Sequence, residues 1–232
     1  PTADALRMAI HNAELLLAEG LASGGARDRA LARVAELLGL GAAPRRIETF
    51  DMSQFQAAEP VGSMVVFVDG RPERRAWRTF AVRLEDGPGD VGFMREVLRR
   101  RFARLDEAPQ DLPDLVVLDG GEAQLAVAVQ ALAALGREIP LVALAKSRVV
   151  DRAFGPVDRV PERLFVPAGA DGVADGQPFR RIVPEPHDAG LHLLMRMRDE
   201  AHRFAVSFHR KRRAKRESGS VLDGIPGLGR TR

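Results

Sequence analysis

The sequence predicts an α/β fold, a mixed sheet flanked by helices, from three observations. Three strand-like runs follow one another between Ile47 and Leu84 with no helical stretch between them. From Asp90 onward, segments of helical period alternate with short apolar runs of strand length. A long amphipathic stretch from about Asp188 to Lys215 closes the pattern. Consecutive strands pair antiparallel, whereas strand–helix–strand units pair parallel. Their succession therefore builds one mixed sheet with helices on its faces.

Taken in order, residues 1–45 form a helical lead-in. Leu6, Ala9, Ile10, Ala13, Leu16 and Leu17 recur at helical spacing until Gly20, Gly24 and Gly25 interrupt them. Leu31, Val34, Leu37 and Leu38 resume the period before Gly39 and Gly41. The two stretches are expected to form an antiparallel pair or a lead-in from an upstream region, and a start at Pro1 without Met is expected of a fragment or a processed chain. Residues 46–216 are expected to form one domain. Its first strands are Ile47–Met52, Val61–Val68 and Trp77–Leu84, with turn chemistry at Asp69-Gly70 between the last two.

A Gly-Pro-Gly-Asp turn opens a helix with Phe93, Met94, Val97, Leu98, Phe102 and Leu105 on one face. Leu115–Leu118 is a buried strand ending in Asp119-Gly120-Gly121. The next helix carries Leu125, Ala128, Val129, Leu132 and Leu135, and Pro140 introduces the strand Leu141–Ala145. Residues 155–186 are rich in Pro, Gly and charge, and Ala168–Gln177 (AGADGVADGQ) reads as an exposed loop insertion. Three strands, helix, strand, helix, strand, helix is the element order of an RNase H-like fold.

Composition narrows the class. With 45% hydrophobic residues the chain can build a core. No apolar run approaches the roughly 18 residues of a membrane span, and the N-terminus lacks the pattern of a signal peptide. Cysteine is absent, which excludes disulfides and thiolate metal sites and fits a reducing, cytoplasmic setting. Net charge is only +3, but six of the seven residues Arg210–Arg216 are basic. Such a run either neutralises phosphates or forms a solvated helix end.

Asp51 and Asp119 each end an apolar strand. A carboxylate there is costly to bury unless something satisfies it. Asp51 could take backbone hydrogen bonds together with Ser53, and Asp119 could start a turn or cap the next helix; singly, either explanation suffices. Together they say more, because the strands that carry them are expected to be neighbours. Paired carboxylates repel, and a divalent cation resolves the repulsion. His202 joins them from the last helix, on a face shared by Leu191, Leu194, Met195, Arg198, Ala201, Ala205 and His209. One imidazole with two carboxylates suits Mg²⁺ or Mn²⁺, and also zinc. Asp199 and Glu200 read as solvated helix residues beside it. Asp90 is explained as a helix cap, while Lys146 and Arg203 either stabilise phosphate charge or form ordinary ion pairs. Ile225-Pro226-Gly227-Leu228-Gly229 is a tight turn whose amides can approach a phosphate.

With these residues assembled, the sequence resembles the C-terminal half of UvrC, a component of the bacterial UvrABC excinuclease. RIETFDMS, VGSMVVF, MREVLRRRF, LPDLVVLDGG, PLVALAK, LHLLMRMRDEAHRFAVSFHRK and SVLDGIPGLG carry the resemblance, in family order and at family-like spacing. It implies an RNase H-like endonuclease that makes the 5′ incision in nucleotide excision repair, part of the response to DNA damage. Its metal ligands would be Asp51, Asp119 and His202, with Asp90 and Lys146 at the catalytic centre. Damaged double-stranded DNA and a UvrB–DNA pre-incision complex are the implied partners. Arg203, His209, Arg210, Lys211, Arg212, Arg213, Gly227 and Gly229 are the implied DNA contacts, and residues 217–232 the start of a helix–hairpin–helix module. The resemblance does not extend to the family's nuclease domain for the 3′ incision or to its UvrB-contacting segment.

Three departures stand out: Gln54 where the family has His, Ala57 where it has Gly, and Glu122-Ala123 where it has Lys-Gly. Gln54 and Glu122 subtract positive charge near the site. They motivate an alternative, a catalytically silent UvrC-like paralogue that binds DNA or a partner.

Overall fold

A computed structural model describes residues 24–53, 61–81, 90–103, 111–150, 158–169, 176 and 178–222. Helix α1 (Gly24–Leu38) precedes strands β1 (Arg46–Ser53), β2 (Val61–Val68), β3 (Arg71–Pro72) and β4 (Arg78–Ala81). Helix α2 (Asp90–Phe102), strand β5 (Leu115–Asp119), helix α3 (Glu122–Ala134) and strand β6 (Leu141–Ala145) then alternate. Strands β7 (Arg148–Val150) and β8 (Asp158–Val160) pair only with each other. Strands β9 (Arg163–Pro167) and β10 (Phe179–Ile182) return to the main sheet, and helix α4 (Ala189–Leu222) closes the chain order.

The main sheet has eight strands in the order β10-β9-β6-β5-β1-β2-β3, with β4 pairing the far end of β2. Pairs β1–β5 and β5–β6 are parallel and the others antiparallel, so the mixed sheet is as expected. Strand β5 is central and covered on both faces, which is why it reads as an unbroken apolar run. Side-chain alternation divides its residues between two cores. Leu115 and Val117 enter a core with α1 and α4, and Val116 and Leu118 one with α2 and α3. Strand β1 alternates likewise, with Ile47 in the first core and Phe50 in the second. By the same alternation, Asp51 and Asp119 lie on the α4 face of the sheet.

The Asp69-Gly70 turn is as the sequence implied. Both residues have positive φ, 50° and 71°, the left-handed pair that suits a two-residue hairpin between β2 and β3. The α1–α4 contact is equally specific. A Cβ on Gly190 would lie 2.9 Å from the backbone nitrogen of Val34, so the missing side chain lets the helices approach. Asp188 caps α4 through its Oδ1, which accepts from the amides of Gly190 (2.8 Å) and Leu191 (3.0 Å). Its Oδ2 accepts from Arg33 Nε of α1 at 2.7 Å.

Several expectations are corrected. The hairpin leads into β3, which was not expected. The expected strand Trp77–Leu84 is β4, which begins at Arg78 because Trp77 closes a 3₁₀ turn over Arg74–Ala76 and its indole donates to the Val66 carbonyl at 3.2 Å. Residues 82–84 lie outside the described residues. The Pro/Gly-rich stretch 155–186 is not all loop. Strand β9 lies within it and buries Leu164, Phe165 and Val166 between β6 and β10. Its prolines and brevity conceal it, and sheet pairing supplies what local pattern does not. The insertion falls between β9 and β10, with residues 170–175 and 177 outside the described residues. Helix α4 continues to Leu222, beyond the expected Lys215. Ser218, Gly219 and Ser220 are weak helix formers, so local propensity does not foretell the extension. The lead-in stretch Leu6–Leu17 lies outside the described residues, whereas α1 packs Ala30, Leu31, Val34 and Leu38 into the sheet core. Among the described residues, no helix is long and apolar enough to cross a membrane.

Candidate metal centre

Two parallel strands and one helix assemble the site. Phe50 of β1 is in register with Leu118 of β5, so the next residues along, Asp51 and Asp119, stand side by side on the α4 face. Helix α4 packs over both strands and presents His202 to them. One ligand atom from each of Asp51, Asp119 and His202 lies within 4.8 Å of the other two. Donors that share an ion at about 2.0–2.6 Å stand at most roughly 5 Å apart, so the spacing fits one cation. Asp51 is buried, Asp119 half-buried and His202 exposed, so the cluster has a closed base and an open rim.

The electrostatics follow from that placement. Burial pushes the Asp119 carboxyl above the usual carboxylate range, and the neighbouring Asp51 adds to the effect, while Lys146 and Arg198 oppose it. Lys146 Nζ lies 3.4 Å from Asp119 Oδ2. His202 Nδ1 lies 3.0 Å from Asp51 Oδ2. An ionised carboxylate only accepts, so the imidazole is the donor in this contact, through Nδ1–H. Helix α3 is capped at Gly121, whose amide donates to Gln124 Oε1 at 3.0 Å. Capping by Asp119 is thereby set aside, since its carboxylate faces Lys146.

The other predicted residues are distributed as follows. Asp90 is the first residue of α2, and His209, Lys211, Arg212 and Arg213 continue α4 beyond His202. Arg210 is exposed on the same helix. Arg203 pairs with Glu200 of its own helix, and Asp199 pairs with Arg198. Glu122, the first residue of α3, is exposed. Gln54, Ala57, Gly227 and Gly229 lie outside the described residues.

Two further polar residues surround the centre: Arg198, which the sequence places only on the helix face of His202, and Ser63, to which it gives no role. Arg198 is buried one turn before His202, with Nη1 3.2 Å from Glu162 Oε2. Its presence on an otherwise apolar stripe was the available signal, because an arginine there requires a buried partner. Ser63, in β2, is buried and donates from Oγ to the Ala201 carbonyl at 3.0 Å. Nothing in its local sequence distinguishes it from a spacer between apolar residues.

A family model described as the UvrC RNAse H endonuclease domain matches residues 35–206. The chain belongs to the UvrC family. Asp51, Asp119, Lys146 and His202 all fall inside the matched span, whereas the basic run from Arg210 lies beyond it. UvrABC system protein C of Gloeobacter violaceus is 40% identical over 98% of this chain and 34% of its own length. The protein of the same name from a Synechococcus species is 40% identical over 99% of this chain and 34% of its own. The UvrC-family chain thus spans about a third of the length of these curated relatives. Among solved structures, the catalytic domain of human endonuclease V aligns with a TM-score of 0.45 and 13% identity, covering 92% of this chain and 99% of that one. A second human endonuclease V structure gives 0.42 and 12%, covering 82% and 99%.

Proposed function

We propose that this UvrC-type domain is a divalent-metal-dependent endonuclease that makes the 5′ incision in damaged double-stranded DNA during nucleotide excision repair. It would act within an excinuclease, on DNA presented by a UvrB–DNA pre-incision complex. The observation that carries this reading is the convergence of Asp51, Asp119 and His202, with ligand atoms within 4.8 Å of one another. Two hard carboxylate oxygens and one imidazole nitrogen suit Mg²⁺ or Mn²⁺.

When bound, such a cation supplies positive charge at the scissile phosphate and acidifies an attacking water. The chain's own groups do the remainder. Asp51, buried beneath the cluster, orients His202 through the Nδ1 hydrogen bond. Lys146, half-exposed beside Asp119, places an ammonium where it can offset charge developing on phosphate oxygens. Arg203 and Arg210, exposed further along α4, neutralise the DNA backbone without reading bases. The exposed edge of His202 leaves the rim open to a strand of DNA.

The test is 5′ nicking of a damaged duplex by the full-length protein in its complete excinuclease, with Mg²⁺ or Mn²⁺ titrated. Asp51→Ala, Asp119→Ala and His202→Ala are each expected to abolish the 5′ nick and spare the 3′ nick. Retention of the 5′ nick in all three variants would overturn the assignment.

A further inference from the structure

Ser63 sits in the middle of β2, fully buried and directly opposite Asp51 in the β1–β2 register. Along the same face of β2 its neighbours Val61, Val65 and Phe67 are apolar and buried. A hydroxyl in such a row needs a partner. Ser63 finds one outside the sheet, donating from Oγ to the Ala201 carbonyl of α4 at 3.0 Å.

That carbonyl immediately precedes His202 in the chain. An interior helix carbonyl already accepts from the amide four residues on, so α4 does not require this bond to remain a helix. What the bond fixes is location. Strand β2 holds the helical turn that bears the imidazole, and β2 is itself zipped to the strand that bears Asp51. Three links thus close a circuit: Asp51 to Ser63 by strand register, Ser63 to Ala201 by the hydroxyl, and His202 back to Asp51 at 3.0 Å. One turn earlier, Arg198 ties the same stretch of helix to Glu162, ahead of β9. The helix is therefore gripped on two sides of the carboxylate pair.

We propose that Ser63 is a positioning residue for the metal centre, its hydroxyl setting α4 at the distance where His202 closes on Asp51. The inference rests on the metal-centre reading above, but its geometric part can be tested apart from it. Ser63→Ala removes the donor, and Ser63→Thr keeps a hydroxyl. Crystal structures of the full-length variants without added metal are the first measurement. The Nδ1–Oδ2 spacing is expected to open beyond roughly 3.5 Å in Ser63→Ala and to stay within hydrogen-bond range in Ser63→Thr. Ser63→Cys, of similar shape but a weak donor, makes the same comparison if the alanine variant is too unstable to crystallise.

Mn²⁺ calorimetry and steady-state nicking are the second measurement. Ser63→Ala is expected to weaken Mn²⁺ binding about tenfold and to lower kcat while leaving KM for DNA unchanged, with recovery in Ser63→Thr. Unchanged spacing together with wild-type Mn²⁺ affinity in Ser63→Ala would overturn the proposal. So would equal losses in the alanine and threonine variants, which would assign the effect to volume. The metal-centre reading fails on a different result, namely Mn²⁺ binding that is absent in the wild type or indifferent to Asp51→Asn. The crystallographic spacing still decides Ser63's role in that event.

Discussion

Asp51 and His202 are 151 residues apart in the chain and meet at 3.0 Å, Nδ1 donating to Oδ2. The contact joins a buried carboxylate on the sheet to an exposed imidazole on the helix above it. Residues that only support a metal ligand affect affinity or activity by about 10- to 100-fold, and a ligand contributes more. His202→Ala should therefore reduce the single-turnover rate of 5′ nicking by more than about 100-fold at saturating Mn²⁺. Asp51→Asn should be at least as damaging, since it removes the charge and replaces one of the two carboxylate oxygens with an amide nitrogen that can only donate. A His202→Ala rate within a few-fold of wild type would remove His202 from the centre.

Lys146 faces Asp119 at 3.4 Å and is half-exposed. Its expected role is charge at the phosphate rather than stability. Lys146→Met should lower kcat roughly tenfold or more, with little change in melting temperature or in DNA affinity. Lys146→Arg should recover part of the rate because it restores the charge. Parallel DNA-binding and rate measurements separate this outcome from a simple loss of backbone contact.

Acid should weaken the attachment of α4 to α1. Burial pushes the Asp188 carboxyl up, but hydrogen bonds from Arg33 and from the Leu191 and Gly190 amides outweigh it and hold the pKa below its ordinary value of 3.8. The unfolded chain then binds the proton more readily. The stabilisation is complete above that ordinary value and disappears as pH falls through the folded value. Glu96, held down to about 2 by Arg99 and Arg100 against some opposing burial, acts in the same direction between pH 4.5 and about 2. Asp188→Ala should cost about 0.5–2 kcal/mol near neutrality, the usual range for a cap residue replaced by alanine. Its deficit relative to wild type should shrink in urea melts below pH 3.8.

Gly190 is predicted to defy helix propensity. In an exposed helix interior, alanine would gain up to about 1 kcal/mol over glycine. Here the added Cβ would meet the Val34 nitrogen at 2.9 Å and the Arg33 carbonyl carbon at 3.1 Å, both backbone atoms. Gly190→Ala should destabilise by about 1–3 kcal/mol, the range for overpacking. An increased melting temperature would show that the helices can separate without cost.

Glu48, with no exposed surface, receives two hydrogen bonds from Arg101, at 2.6 and 2.9 Å. Arg46 is 3.5 Å away. Arg101→Ala strips the buried carboxylate of its principal partner. The expected cost is about 3–5 kcal/mol, among the largest for a single substitution in this fold. Denaturant unfolding of the variant measures it, and a loss under about 1 kcal/mol would show that Arg46 alone satisfies Glu48.

Much of this architecture was legible from local pattern. The run Leu115–Leu118 announced a strand covered on both faces, and Asp69-Gly70 announced its hairpin. Strand β9 was not legible, because three buried residues between prolines resemble a loop until β6 and β10 pair with them. Trp77 read as strand, since aromatic residues favour sheets, yet its indole donates to the Val66 carbonyl and its amide closes the 3₁₀ turn on the Arg74 carbonyl.

The candidate centre divides in the same way. Asp51 and Asp119 were conspicuous by themselves, as charged residues at the ends of apolar strands, and His202 by its place on an otherwise buried helical face. Those are statements about period and chemistry, which a linear chain carries. That their ligand atoms converge within 4.8 Å is a statement about strand order and helix placement, which only the assembled sheet and α4 decide. Ser63 marks the boundary. Its hydroxyl has no local meaning in Val61–Val68, and it acquires one only when packing brings a carbonyl from residue 201 to within 3.0 Å. Periodicity determines which face a residue occupies; long-range contacts determine what it finds there.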